Sequence, residues 1–137
     1  MIRQPLFQDN PADVAALLRR LPSAFPNALV ELMRWCRCTV EQLAEYALTS
    51  SSTVSRLRND PDYESSLETI VGLCIGLHLP PAIYLEFIRK AGYIFKATKR
   101  HIAYQQLLAQ AYFFGWDMFQ FNEALVEWGV GTIGMEA

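Results

Sequence analysis

No uninterrupted apolar run of about 18 residues or more occurs in the 137-residue chain, so no membrane-spanning helix is expected. The N-terminal stretch "MIRQPLFQDNPADVAALLRRL" lacks the basic region, apolar block and small-residue cleavage site of a signal peptide, and a cytoplasmic location is the expectation. Cysteine is scarce and odd in number. Three of them argue against a disulfide framework and suit a reducing compartment, with all three as free thiols. Histidine is scarcer, at two. There is no Gly-rich phosphate loop, no nucleophile elbow, no His-Glu metal motif, and no carboxylate at helical spacing from either histidine. These absences disfavour an enzyme, and neither catalytic residues nor a cofactor are expected. Cys74 and His78, four residues apart, would share a helix face and invite a zinc reading. Cys36 and Cys38 oppose it: two residues apart on a helix, they point about 200° apart and do not converge on one ion. No metal is expected.

Excess positive charge is also missing. Net charge is −2, whereas phosphate binding usually leaves a basic footprint. The charges are nevertheless segregated. Arg89, Lys90, Lys96, Lys99 and Arg100 follow one another with no acid between them, and every charge after residue 100 is acidic: Asp117, Glu123, Glu127 and Glu136.

What is abundant is helix signal. Apolar residues make up 52% of the chain and show no strand alternation, which at this length points to a single all-α domain. Asn10 and Pro11 form a cap and first-turn pair leading to Val14, Leu17, Leu18 and Leu21. From Asn27, Leu29, Leu32, Met33 and Cys36 make one apolar face. Thr39 with Gln42 is a capping box opening a two-turn helix with Leu43, Ala44 and Ala47 inward. After a turn of three or four residues, Ser50 or Ser51 caps a second short helix carrying Val54 and Leu57, ended by Asn59, Asp60 and Pro61. Ser65 with Glu68 reads as another capping box, opening "SLETIVGLCIGLHL", apolar nearly all round and therefore central. Pro80 and Pro81 interrupt the pattern. A helix ending near Gly92 comes next, then helices over Thr98 to Phe114 and Asp117 to Trp128, about eight in all. The chain divides into residues 1–26 (N-terminal helix and linker), 27–92 (core) and 93–137 (C-terminal helical extension).

Two short helices joined by a tight turn and braced by a third can set the second helix into the DNA major groove. Short hydroxyl side chains suit such close approach. The stretch "TVEQLAEYALTSSSTVSRLRND" followed by "SLETIVGLCIGLHLP" resembles the phage-repressor-like (XRE, Cro-type) helix-turn-helix family of DNA-binding transcriptional regulators. The likeness runs without a gap over Thr39 to Asp60 and, with flanking helices, covers about Asn27 to Leu79. The segment from Pro80 to Gly129, opening "PPAIYLEFIRKAG", is similar to tails of bacterial members. The resemblance implies a lambda-repressor-like bundle with extra helices at both ends and a recognition helix over about Ser51 to Arg58. Ser51, Ser52, Ser55 and Arg56 would face bases, and Ser50, Thr39, Asn59 and Arg58 would face phosphates. The sequence departs from the family at two places. Leu48 replaces the usual turn glycine, from which a negative-φ turn or an altered helix angle is expected. Val40 replaces a glutamine that braces the phosphate contact.

Two further features stay open. The basic run Arg89 to Arg100 either extends the footprint to flanking phosphates or forms a solvated helix end. Tyr112, Phe113, Phe114, Trp116, Phe119, Phe121 and Trp128 crowd the C-terminal helical pair. Half can be core, and Phe113, Phe114, Trp116 and Phe119 would then form a partner surface, with a two-fold homodimer the favoured form. From Asn27 to Asp60 four arginines are balanced by four acids. This balance leaves room for an alternative, a protein-protein interaction module on the same scaffold with little DNA affinity.

Overall fold

The computed structural model describes residues 11–134, and these form eight α-helices with no β-strand: α1 (Pro11–Arg20), α2 (Phe25–Cys36), α3 (Val40–Ala47), α4 (Ser51–Asn59), α5 (Leu67–Gly76), α6 (Pro81–Lys90), α7 (Lys99–Phe114) and α8 (Met118–Glu127). The all-α expectation holds. Asn10, expected to cap α1, and the acidic Glu136 lie outside the described residues. No helix among the described residues is long and apolar enough to cross a membrane.

All of α5 except Glu68 and Thr69 in its first turn is buried, and the helix packs against α3, α6, α7 and α8. On one side of it α3 carries α4, and α2 backs both α4 and α6; α1 lies on α6. On the other side α7 and α8 pack on each other. Helix α5 turns Gly72 and Gly76 toward α3, which lets the two helices approach closely. A Cβ on Gly72 would stand 2.9 Å from the Ala47 carbonyl oxygen, and one on Gly76 would stand 3.2 Å from the Ala47 amide nitrogen. With Leu43, Ala44 and Ala47 buried, the second half of α3 is thereby fixed against the core.

Helix starts largely follow the capping chemistry. Thr39 and Gln42 exchange both bonds of a capping box, at 3.1 and 3.0 Å, and Ser50 accepts from the Thr53 amide. Asp117 and Gln120 form a second full box. The expected Ser65–Glu68 box does not form. Ser66 caps α5 instead, accepting from Thr69 N at 3.2 Å, one residue later. Glu68 is engaged elsewhere, accepting from Tyr104 Oη at 3.3 Å and lying 3.8 Å from Arg100, and the Tyr93 hydroxyl donates to the Ser65 carbonyl. Helix α2 begins at Phe25, before the expected Asn27, with Pro26 in its first turn and the Phe25 ring 4.7 Å from that of Phe87.

Helix ends obey one geometry. In α2, α3, α5, α6, α7 and α8 an amide beyond the end reaches back five residues to a carbonyl, as in Thr49 N to Ala44 O at 2.9 Å, around a residue in the left-handed region. Glycine supplies that residue after α6, α7 and α8: Gly92, Gly115 and Gly129. After α2, α3 and α5 it is Arg37, Leu48 and His78, with φ of 54°, 54° and 51°. The negative-φ turn expected at Leu48 is therefore replaced by a left-handed leucine, which costs about 1–2 kcal/mol. Packing holds it there. The segment after α8 returns across the molecule, Asn122 clamps the Ile133 backbone with two 2.9 Å hydrogen bonds, and Gly134 closes on Leu48. A Cβ on Gly134 would lie 2.6 Å from Leu48 Cβ.

Replacing Gly72 with alanine tests the close approach. Helix propensity alone favours alanine by about 0.5–1 kcal/mol. Contact with a backbone oxygen, which cannot rotate away, is expected to outweigh it and to lower stability by about 1–3 kcal/mol, read as a lower urea midpoint. A raised midpoint would show that α3 and α5 are not in such contact.

Candidate nucleic-acid interface

Helix α4 is positioned by what it buries. Val54 and Leu57 point into the core against α2 and α3, which leaves the opposite face outward. Ser51, Ser52, Arg56 and Asn59 are exposed there, with Ser55 half-buried between them. The connection from α3 is three residues long, Leu48 to Ser50. Ser50 does not project outward: its Oγ is taken by the Thr53 amide at 3.0 Å and by Thr53 Oγ1 at 2.8 Å. Arg56 is not a free arm either. Its guanidinium lies over the Tyr63 ring, 4.8 Å from the centroid, which limits its rotamers while leaving the side chain exposed.

Beside α4, Thr39 and Arg58 share a shallow groove of about 330 Å³ with Arg34, Arg37, Cys38 and the apolar Val30 and Met33. No acid lines it. Arg34 is paired with Glu31 at 3.2 Å, whereas Arg37 and Arg58 form no ion pair among the described residues. Arg58 Nε is buried without a hydrogen-bond partner. Arg34 and Arg37 are functional candidates that sequence reasoning entered only as charges in a zero balance. The available signal was their place in the last turn and cap of α2, immediately before the Thr39 cap.

The five residues of the basic run do not act together. Arg89 and Lys90 both pair with Glu86, Lys90 at 3.5 Å, and Arg100 faces Glu68. Lys96 and Lys99 are exposed, and the Lys96 amide donates to His101 Nδ1 at 2.8 Å. The Arg89 guanidinium holds the Glu86 carboxyl below its ordinary range. At the other end of the molecule Phe113, Phe114 and Phe119 are 74%, 70% and 63% exposed around the α7–α8 corner. Trp116 is half-buried, stacked 6.0 Å from Phe114, and Phe121 is fully buried.

Cys36, Cys38 and Cys74 are free and buried. Cys74 and His78 do not share a helix face, because α5 ends at Gly76 and His78 lies beyond it in the left-handed region, its ring 5.1 Å from that of Tyr112. Among the described residues no group of three or more metal-ligating side chains converges. Comparison with protein-family models, with curated proteins and with solved structures gives no match.

Burial pushes the Cys36 thiol up to about 12 and the Cys38 thiol to about 11, and raises Cys74 as well. Because the unfolded thiols ionise near 9.0, their contribution to stability is complete below that pH and is lost as pH rises through the folded values. The thiols of the folded chain are therefore expected to resist alkylation at about pH 8 until denaturant unfolds it, and the denaturation midpoint to fall above about pH 9. Rapid alkylation of the native chain would contradict the burial.

Proposed function

We propose that the chain is a sequence-specific, double-stranded DNA-binding transcriptional regulator of the phage-repressor-like helix-turn-helix type, with α4 as its recognition helix. The observation that carries this reading is the exposed hydroxyl and arginine face of α4, set beside a groove lined by Arg34, Arg37, Arg58 and Thr39 with no acid. In the major groove, Ser51, Ser52 and Ser55 come close to base edges, and Arg56 is the one long side chain able to grip a guanine with two hydrogen bonds. Arg37, Arg58 and the start of α3 lie against the phosphate backbone, where unpaired guanidinium groups and the first helical amides are favourable. Asn59 adds a phosphate contact at the far end of α4. Arg56 stacked on Tyr63 is pre-ordered for reading, which reduces the entropy lost on binding.

Selection from a random duplex pool at two salt concentrations tests the reading. A recovered motif whose retention falls with salt is the expected result. Arg56→Ala is expected to lose about 1–3 kcal/mol of discrimination at one base pair. Arg37→Ala is expected to weaken all sequences alike and to reduce the log–log salt slope by about 0.9. No retention at low salt favours the protein-interaction module on the same scaffold.

The exposed Phe113, Phe114 and Phe119 support a homodimer through the α7–α8 corner, which would set two recognition helices against a palindromic site. Replacing Phe113 and Phe119 with serine is expected to leave the fold intact and convert the dimer to monomer in sedimentation equilibrium. An unchanged mass would place any dimer contact elsewhere.

A further inference from the structure

A cavity of about 130 Å³ opens between the start of α2, the connection from α4 to α5, and the end of α6. Phe25, Leu57, Tyr63 and Tyr93 give it apolar and aromatic walls. Two polar groups on the same lining are poorly satisfied. Ser65 Oγ is buried with no hydrogen-bond partner. The Lys90 side chain is only 10% exposed, and its ammonium has one long contact, 3.5 Å to Glu86, beyond the usual range for an N–H···O bond. Glu86 is moreover shared, because Arg89 donates to both of its oxygens. The other charged group on the lining, Glu64, is exposed, and water screens it. A lysine with a mostly buried stem and a shared acid, on the same lining as an unpartnered hydroxyl, leaves hydrogen-bonding capacity there for an acceptor.

We propose that this cavity binds a small aromatic carboxylate and that occupancy is transmitted to Arg56. The carboxylate accepts from Lys90 Nζ and Ser65 Oγ, and the ring lies among the aromatic walls. The space suits one ring, since a cavity of about 150 Å³ in another protein takes up benzene. Tyr63 supplies the coupling: it lines the cavity and also carries the Arg56 guanidinium. A ligand that packs on Tyr63 shifts the ring under the one long base-reading side chain. The regulatory consequence rests on the DNA-binding reading above, whereas binding of the carboxylate does not.

Benzoate is the probe, added to the full chain and followed by calorimetry and by NMR with no DNA present. Saturable binding is expected, with a shift of the Arg56 Nε–Hε resonance. Benzyl alcohol, which keeps the ring and loses the charge, is expected to bind at least about tenfold more weakly, the loss of one charge-assisted hydrogen bond. Lys90→Met is expected to weaken benzoate by at least the same factor, and Ser65→Ala, which removes only a hydroxyl from a well-folded loop position, to weaken it several-fold. No saturable benzoate binding, or equal binding of benzyl alcohol, overturns the site. Benzoate bound with the Arg56 resonance unmoved overturns the coupling. Failure of the chain to bind any duplex would count against the regulator and leave these readouts untouched.

Discussion

The contact between Gly72 on α5 and the Ala47 carbonyl on α3 is the constraint on which the rest of the structure depends. It brings the end of α3 to the surface of the central helix without an intervening side chain. From there the chain has three residues in which to reverse before α4 begins, and α4 touches the body of the protein chiefly through α2 and α3. The direction in which Ser51, Ser52 and Arg56 point is therefore set by the α3–α5 contact and by the Leu48 turn. That turn is itself held from outside. The Asn122 clamp on Ile133 and the close seat of Gly134 on Leu48 mean that the last described residues brace the α3–α4 corner. The C-terminal segment thus contributes to the geometry of the candidate interface through the turn that precedes α4.

Charge acts here through placement. The segment from Asn27 to Asp60 sums to zero, yet Arg37 and Arg58 sit in an acid-free groove with no ion pair among the described residues, while the larger basic run is mostly engaged with Glu86 and Glu68. A nucleic acid would meet the first group as a compact positive site and the second as partly neutralised pairs. Surface pairs of that kind contribute little to stability and screen readily, so they cost the protein little either way.

Most of the helical architecture was legible because its signals are local. The Thr39–Gln42 box, the Ser50 cap, the Asp117 cap and the glycines after α6, α7 and α8 all act within one turn. The buried faces of α2, α3 and α4 followed from periodicity, and the burial of α5 from its being apolar nearly all round. What escaped was decided by distant partners. The Ser65–Glu68 box does not form, and Glu68 is held instead by Tyr104, from later in the chain. Leu48, Arg37 and His78 adopt a conformation that their identities disfavour, and only tertiary packing of the Gly134 kind reveals that Leu48 is sustained. The outward residues of α4 came from the resemblance, while spacing gave only its buried Val54 and Leu57. The Arg34–Arg37–Arg58 groove was not, because it joins two helices that sequence separates by a whole α3.

The most direct test of the central claim is amide and side-chain NMR of the full chain as duplex from the selected pool is added. DNA binding through α4 predicts that perturbations concentrate at Ser51, Ser52, Arg56, Arg58 and Thr39 and fade as salt is raised. Perturbations confined to Phe113, Phe114 and Phe119, or none at low salt, would contradict it.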